Sequence, residues 1–248
     1  MKKEVTVIVP SFKSEVLTCI CVNSFEKFKP ADVNIKYVVI ENSGEVSYRD
    51  HVKRISPDLT WFNNDTKLIG SEANAEALVI GLDMIDTEFC FLCHCDTCIT
   101  SSLFYDEMFK KAESGYKMVG TGLDNTRIKA CHISGVFVDV DITRTVEMFP
   151  VYEDNKMIMD VGDDITKYCR DYGVKHCCLE NTFNSFDENK LADDKYKGFR
   201  VNRSVNENGD VLFMHLGRGI PKSQGTYNKE GRVYLEGWIN FCSELLNA

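Results

Sequence analysis

Polar side chains follow four apolar runs in this 248-residue chain. Pro10-Ser11-Phe12 comes after Val5–Val9, Glu41-Asn42-Ser43 after Ile35–Ile40, His94-Cys95-Asp96-Thr97 after Glu88–Leu92, and His215 after Val211–Met214. If those runs are strands of an open α/β sheet, a ligand is expected in the crevice outside their carboxyl ends. Any one cluster is explained as the polar start of a loop; four in this order mark a binding edge. Arg218 follows His215 in a glycine-flanked segment and suits bidentate contact with phosphate oxygens, with Lys222 as a second cation nearby. Asp160, Asp163 and Asp164 gather at a helix start. Capping and the helix dipole account for one or two of these carboxylates but do not call for all three.

Cys90, Cys93, Cys95 and Cys98 crowd one segment of a chain with eleven cysteines. A four-thiolate zinc site pairs two short hairpins across a longer spacer. Here Phe89–Cys93 is a strand pattern, which sends neighbouring side chains to opposite faces. The segment therefore reads as buried apolar thiols.

The elements that must carry these groups alternate. Val5–Val9 is a β-branched strand ended by Pro10, and Ser14–Phe28 is a helix with Val16, Leu17, Ile20, Val22 and Phe25 at helical spacing. Strand Ile35–Ile40, short strand Leu59–Phe62, helix Ser71–Ile85 and strand Glu88–Leu92 follow. Alternating strands and helices predict an α/β fold, a mostly parallel central sheet with helices on both faces. The second part is less regular. Strands are expected at Met118–Thr121, Ile133–Val140, Val174–Leu179 and Val211–Met214, and helices at Asp160–Tyr172, ended by Gly173, and Tyr227–Leu246. Asn181–Gly209 reads as loop. No linker divides the chain, so one domain over 1–248 is expected, with about 1–100 serving a nucleotide and about 101–248 an acceptor.

Composition narrows the partners. With 44% hydrophobic and 27% charged residues, 16 Gly and 5 Pro, the chain is neither disordered nor fibrous. Asp plus Glu is 38 against 29 Lys plus Arg, a net charge of -9, which disfavours a nucleic-acid polymer. A single nucleotide stays compatible, because a metal held on carboxylates neutralises its phosphates. No run approaches the roughly 18 apolar residues of a membrane span. Met1-Lys2-Lys3-Glu4 leads directly into a strand pattern, so a cytoplasmic protein with free thiols is expected.

Taken in order, the segments resemble family 2 type glycosyltransferases of the GT-A fold. Val7-Ile8-Val9-Pro10-Ser11-Phe12 is similar to that family's opening "IVIPSYN", and Val38-Val39-Ile40-Glu41-Asn42-Ser43 to its "VVDNS", with Glu for Asp. Gly70–Gly81 resembles its glycine-opened helix, and Thr87–Thr97 the strand entering its DxD motif. Ile133-Ser134-Gly135-Val136-Phe137 resembles its later "SGA" strand, Asp160–Asp164 its acidic segment, and Phe213–Gly217 its late histidine segment. The resemblance covers about the first 220 residues.

It implies a metal-dependent enzyme that moves a sugar from a nucleotide-sugar to a hydroxyl of a carbohydrate or other acceptor, with inversion. The default donor is a UDP-sugar, UDP-glucose being the commonest. It assigns Pro10, Ser11, Phe12, Glu41, Asn42, Gly70, His94, Cys95 and Arg218 to the nucleotide, and His132, Ser134 and Gly135 to the donor sugar or acceptor. Asp96 and His215 take the metal. Asp163 is preferred as general base, although spacing from Gly173 does not separate it from Asp160. The chain departs from the pattern where DxD is replaced by His94-Cys95-Asp96, which removes one carboxylate. Imidazole is a poor magnesium ligand, so manganese is expected to be preferred over magnesium. Two rivals remain. A nucleotidyltransferase would carry a Gly-rich basic loop where this chain has Pro10-Ser11-Phe12-Lys13-Ser14. A catalytically weak nucleotide- or carbohydrate-binding module would account for the altered DxD.

Overall fold

In the computed structural model, residues 3–123, 127–181, 201–226 and 229–247 are described. Most of the expected loop, 182–200, and the expected helix start Tyr227 lie outside them.

The first part alternates as expected: β1 (Glu4–Ser11), α1 (Glu15–Phe28), β2 (Asn34–Glu41), α2 (Arg49–Ile55), β3 (Thr60–Asn63), α3 (Gly70–Leu82) and β4 (Phe89–Cys93). Then come β5 (Thr97–Ile99), α4 (Leu103–Glu113), β6 (Met118–Leu123), β7 (Cys131–Asp139), α5 (Val140–Thr143), and the hairpin β8 (Val151–Glu153) and β9 (Lys156–Met159). The chain continues through α6 (Asp163–Asp171), β10 (His176–Cys178), β11 (Glu180–Asn181), β12 (Asn202–Val205), β13 (Val211–His215), α7 (Gly219–Ser223) and α8 (Lys229–Asn247). Among the described residues, no helix is long and apolar enough to cross a membrane.

Seven strands form the central sheet in the order β10-β6-β7-β4-β1-β2-β3. It is parallel except for β7, which runs antiparallel to both β4 and β6. A second sheet, β11-β12-β13-β5, is antiparallel. Alternation along β1 shows why both faces of the central sheet need cover. Val5, Val7 and Val9 point into one core with Leu17, Phe25, Phe91, Phe104 and Trp238. Ile8 points into the other, with Val38, Ile40, Leu78, Leu92 and Ile165. The helical stripe of α1 buries Leu17, Ile20, Cys21, Val22 and Phe25, whereas Val16, expected in it, is 50% exposed.

Several elements correct the sequence expectation. Asn202–Val205 is a buried strand rather than loop, because β13 supplies its ladder. The turn at His94–Thr97 passes directly into β5. Helix α4, which buries Phe104, Tyr105, Met108 and Phe109, fills a stretch with no assigned element.

Candidate functional site

After β4 the chain turns through His94, Cys95 and Asp96, closed by the Thr97 N–H donating to the His94 carbonyl at 3.0 Å. Short β5 then pairs antiparallel with β13, setting Thr97 opposite His215. The Leu216 N–H donates to the Asp96 carbonyl at 3.0 Å. This pairing delivers His215 to a turn 121 residues earlier: its Nε2 lies 3.2 Å from His94 Nδ1. The same Nε2 lies 3.2 Å from Asp96 Oδ1, and both side chains are 5% exposed. One ligand atom each from His94, Asp96 and His215 fall within 4.8 Å of one another, a grouping that can hold a metal ion.

Electrostatics suit that grouping. Burial works against the charge of Asp96, but His215, His94 and the Gly219 N–H outweigh it and hold the pKa well below the usual carboxylate range. Burial, helped by His215, lowers His94 to about 4 against the pull of Asp96 and Asp160. Its imidazole is therefore neutral near pH 7, with a lone pair to offer. Two amides support the rings from outside: Asn74 Nδ2 lies 3.2 Å from His94 Nε2, and Asn202 Nδ2 lies 3.3 Å from His215 Nδ1. Outer partners of this kind fix the orientation of ligating histidines.

β7 adds a third imidazole. The His132 ring centre is 5.8 Å from that of His94 and 5.4 Å from that of His215. Its Nδ1 accepts the Ser134 N–H at 3.2 Å and meets Ser134 Oγ at 2.8 Å. Burial, with His215 next, pushes its pKa well down. Ser134 is fully buried and its carbonyl accepts from Thr97 Oγ1 at 2.8 Å. Gly135 sits against Phe213, whose Cε2 is 2.2 Å from where a Cβ would stand. Packing against Phe213 by itself accounts for a glycine here.

At the start of α6 the acidic cluster separates. Asp163 is buried; its Oδ2 accepts the Asp160 N–H at 2.7 Å and Arg127 Nε at 3.2 Å. Burial raises its pKa against those partners. Asp160 has a 26% exposed side chain, with Oδ2 3.6 Å from Arg127. Asp164 Oδ2 accepts the Glu147 N–H at 3.1 Å and so ties down a loop.

Several expected ligand-binding side chains turn inward. Glu41 is fully buried, and Lys13 N–H, Ser43 N–H, Ser43 Oγ and Tyr48 Oη all donate to its carboxylate. Ser11 Oγ is 2.8 Å from both Thr18 Oγ1 and Tyr48 Oη. Asn42 bridges the Ala73 carbonyl and Asn64, each at 2.9 Å. Cys95 packs in the apolar core, where burial raises its thiol pKa. The polar groups of Ser11, Glu41 and Asn42 are thus paired within the chain. Pro10 is buried, while Phe12 is half-buried beneath Lys13 Nζ, 5.8 Å from its ring centre. Gly70 opens α3 with φ +59° and no atom within 4 Å of a built Cβ. Arg218 is exposed, with φ +52°. Lys222 is buried and donates to the Leu216 carbonyl at 3.2 Å.

No protein-family profile matches the sequence, and no curated protein matches it. Solved structures do. The mannosyltransferase PcManGT from Pyrobaculum calidifontis, in complex with GDP-Man and Mn2+, superposes with a TM-score of 0.53 at 18% identity. That match covers 71% of this chain and 54% of the other, so this chain spans about half its length. Glucosyl-3-phosphoglycerate synthase from Mycobacterium tuberculosis, in complex with phosphoglyceric acid, gives 0.50 at 10% identity over 72% of this chain and 70% of that one. The chain has the GT-A fold. Within this GT-A fold, His94, Asp96 and His215 lie at the ends of β4 and β13, where the sequence placed the binding edge. Asn74, Asn202 and Arg127 went unassigned from sequence. Asn202 lay in a stretch read as loop, and neither other residue has a local pattern that announces a distant partner.

Proposed function

We propose that this chain is a metal-dependent glycosyltransferase that moves a sugar from a nucleotide-sugar to a hydroxyl acceptor with inversion. The observation that carries the reading is the buried His94–Asp96–His215 group at the carboxyl edge of a GT-A sheet. The donor set of two imidazoles and one carboxylate fits a divalent transition metal, manganese in preference to magnesium. Turning their amide oxygens to the outer N–H groups, Asn74 and Asn202 would leave the inner nitrogens of His94 and His215 to the cation. The bound metal supplies charge stabilisation for the departing diphosphate.

The chain's own groups do the rest. Arg218, exposed beyond His215, is suited to the diphosphate oxygens. The Glu41-anchored turn and Phe12 shape the wall for ribose and base, with a UDP-sugar as the proposed donor. An acceptor hydroxyl attacks the anomeric carbon as the bond to the diphosphate oxygen breaks, and a carboxylate takes the hydroxyl proton. Asp160 is the more accessible member of the pair and lies within electrostatic reach of His94; Asp163 and Arg127 hold it. We read the chain as one domain, with about residues 1–100 serving the nucleotide and about 101–248 the acceptor. Its eleven free cysteines suit a reducing compartment such as the cytoplasm.

A panel of UDP- and GDP-sugars incubated with the protein and manganese, followed by mass spectrometry, tests this reading. Release of nucleoside diphosphate from one donor supports it. Donor binding without turnover on any acceptor would leave a binding module instead, and release of sugar 1-phosphate in place of nucleoside diphosphate would indicate nucleotidyl transfer.

A further inference from the structure

Cys131 opens β7 and Cys178 closes β10, and the two strands flank β6. Neighbouring strands lie about 4.8 Å apart, so residues two strands apart normally stand too far away for their sulfurs to meet. Gly120 of β6 removes that obstacle. Cys178 is its register partner on one side. On the other, the register shifts beyond Gly120 bring the start of β7 over it: a Cβ on Gly120 would lie 2.8 Å from Cys131 Cβ and 2.9 Å from Cys131 Sγ. Cys131 occupies the space left by the absent side chain, and its Sγ donates to Cys178 Sγ at 3.4 Å. Cys131 is buried, whereas Cys178 is half-buried.

We propose that Cys131 and Cys178 are a redox-active thiol pair, oxidised to an internal disulfide by small disulfide compounds that reach the half-buried Cys178. The Cys178 thiolate attacks one sulfur of the reagent, whose S–S bond breaks and releases one thiolate. Cys131 then gives up its proton and attacks Cys178 Sγ, expelling the second thiolate. Two protein thiols and one disulfide become one protein disulfide and two small thiols. Donation from Cys131 lowers the Cys178 pKa against its burial, with His176 and Arg170 adding to the effect. The other half-buried thiols, Cys19 and Cys177, are pushed up by burial. Closing the sulfurs from 3.4 Å to about 2.05 Å pulls on Cys131, the residue next to His132; the Cys131 N–H itself donates to Thr166 Oγ1 of α6.

The test is oxidation of the folded protein with glutathione disulfide at neutral pH, acid quenching, alkylation and peptide mapping. A Cys131–Cys178 linked peptide is expected, forming at least tenfold faster than adducts on Cys19 or Cys177 and reversed by dithiothreitol. In C131S, glutathione should remain on Cys178; in C178S, neither position should be modified. Glutathione on Cys19 or Cys177 without the linked peptide would overturn the proposal, as would no reaction in the folded protein while the unfolded chain reacts fully. The unaltered protein decides alone if a variant fails to fold.

Discussion

Gly219 stands where any side chain would collide with the carboxylate of Asp96. A Cβ there would lie 2.5 Å from Asp96 Cβ and 2.6 Å from Oδ2, and the Gly219 N–H donates to that same Oδ2 at 2.9 Å. The first turn of α7 therefore grips the carboxylate from behind and leaves Oδ1 facing His215. Gly219→Ala should push Asp96 out of this grip. Manganese affinity, measured by electron paramagnetic resonance titration, is expected to fall at least tenfold with the circular dichroism spectrum unchanged. Unaltered affinity would show that the grip does not set the ligand.

Removing the metal is the second test. Activity should disappear in excess chelator and return more fully with manganese than with magnesium. Asp96→Asn keeps the shape of the side chain but removes its charge, and should abolish metal binding. Full turnover in chelator would sink the metal reading, since the two imidazoles and Asp96 would then serve another purpose.

A third prediction concerns Glu41, a fully buried carboxylate kept satisfied by Tyr48, Ser43 and the Lys13 backbone. Tyr48→Phe removes one donor to a charged group, worth about 1.5–3 kcal/mol. A melting temperature lower by several degrees is expected, with nucleotide affinity reduced only as far as the turn at Lys13 loosens. A mutant that melts like the parent would show that Tyr48 adds nothing net to the buried charge.

The strands that define the binding edge were legible because β1, β2, β4 and β13 are apolar, β-branched or aromatic runs stopped by polar residues. The polar residues that end them, His94, Asp96 and His215 among them, were legible for the same reason. What joins them was not. β5 is three residues long, and Asn202-Arg203-Ser204-Val205 has no apolar alternation; β5 is a strand because β13 lies beside it, and β12 because β11 and β13 flank it. Helix α4 did carry a readable stripe in Phe104, Tyr105, Met108 and Phe109. The inward turn of Glu41 depends on Tyr48, and the burial of Asp163 on Arg127, partners that strand and helix periodicity does not encode.

Asp160 and Asp163 give the fourth prediction, because the same pair divides into a half-buried and a buried carboxylate. Asp163 touches Arg127 and the Asp160 backbone, so Asp163→Asn should lose the ion pair while its amide oxygen still accepts the Asp160 N–H. Melting temperature should drop, and turnover should fall modestly as Asp160 loosens. Asp160 has less to hold and more surface to offer an acceptor. Asp160→Asn should therefore lower kcat by roughly the 10²–10⁴-fold expected when a general base is lost, with nucleotide affinity and melting temperature nearly kept. Steady-state kinetics on both variants, set beside their thermal melts, separates the roles. A dead Asp163→Asn beside an active Asp160→Asn would move the base inward to Asp163. Normal turnover in both would place the proton acceptor outside this helix start.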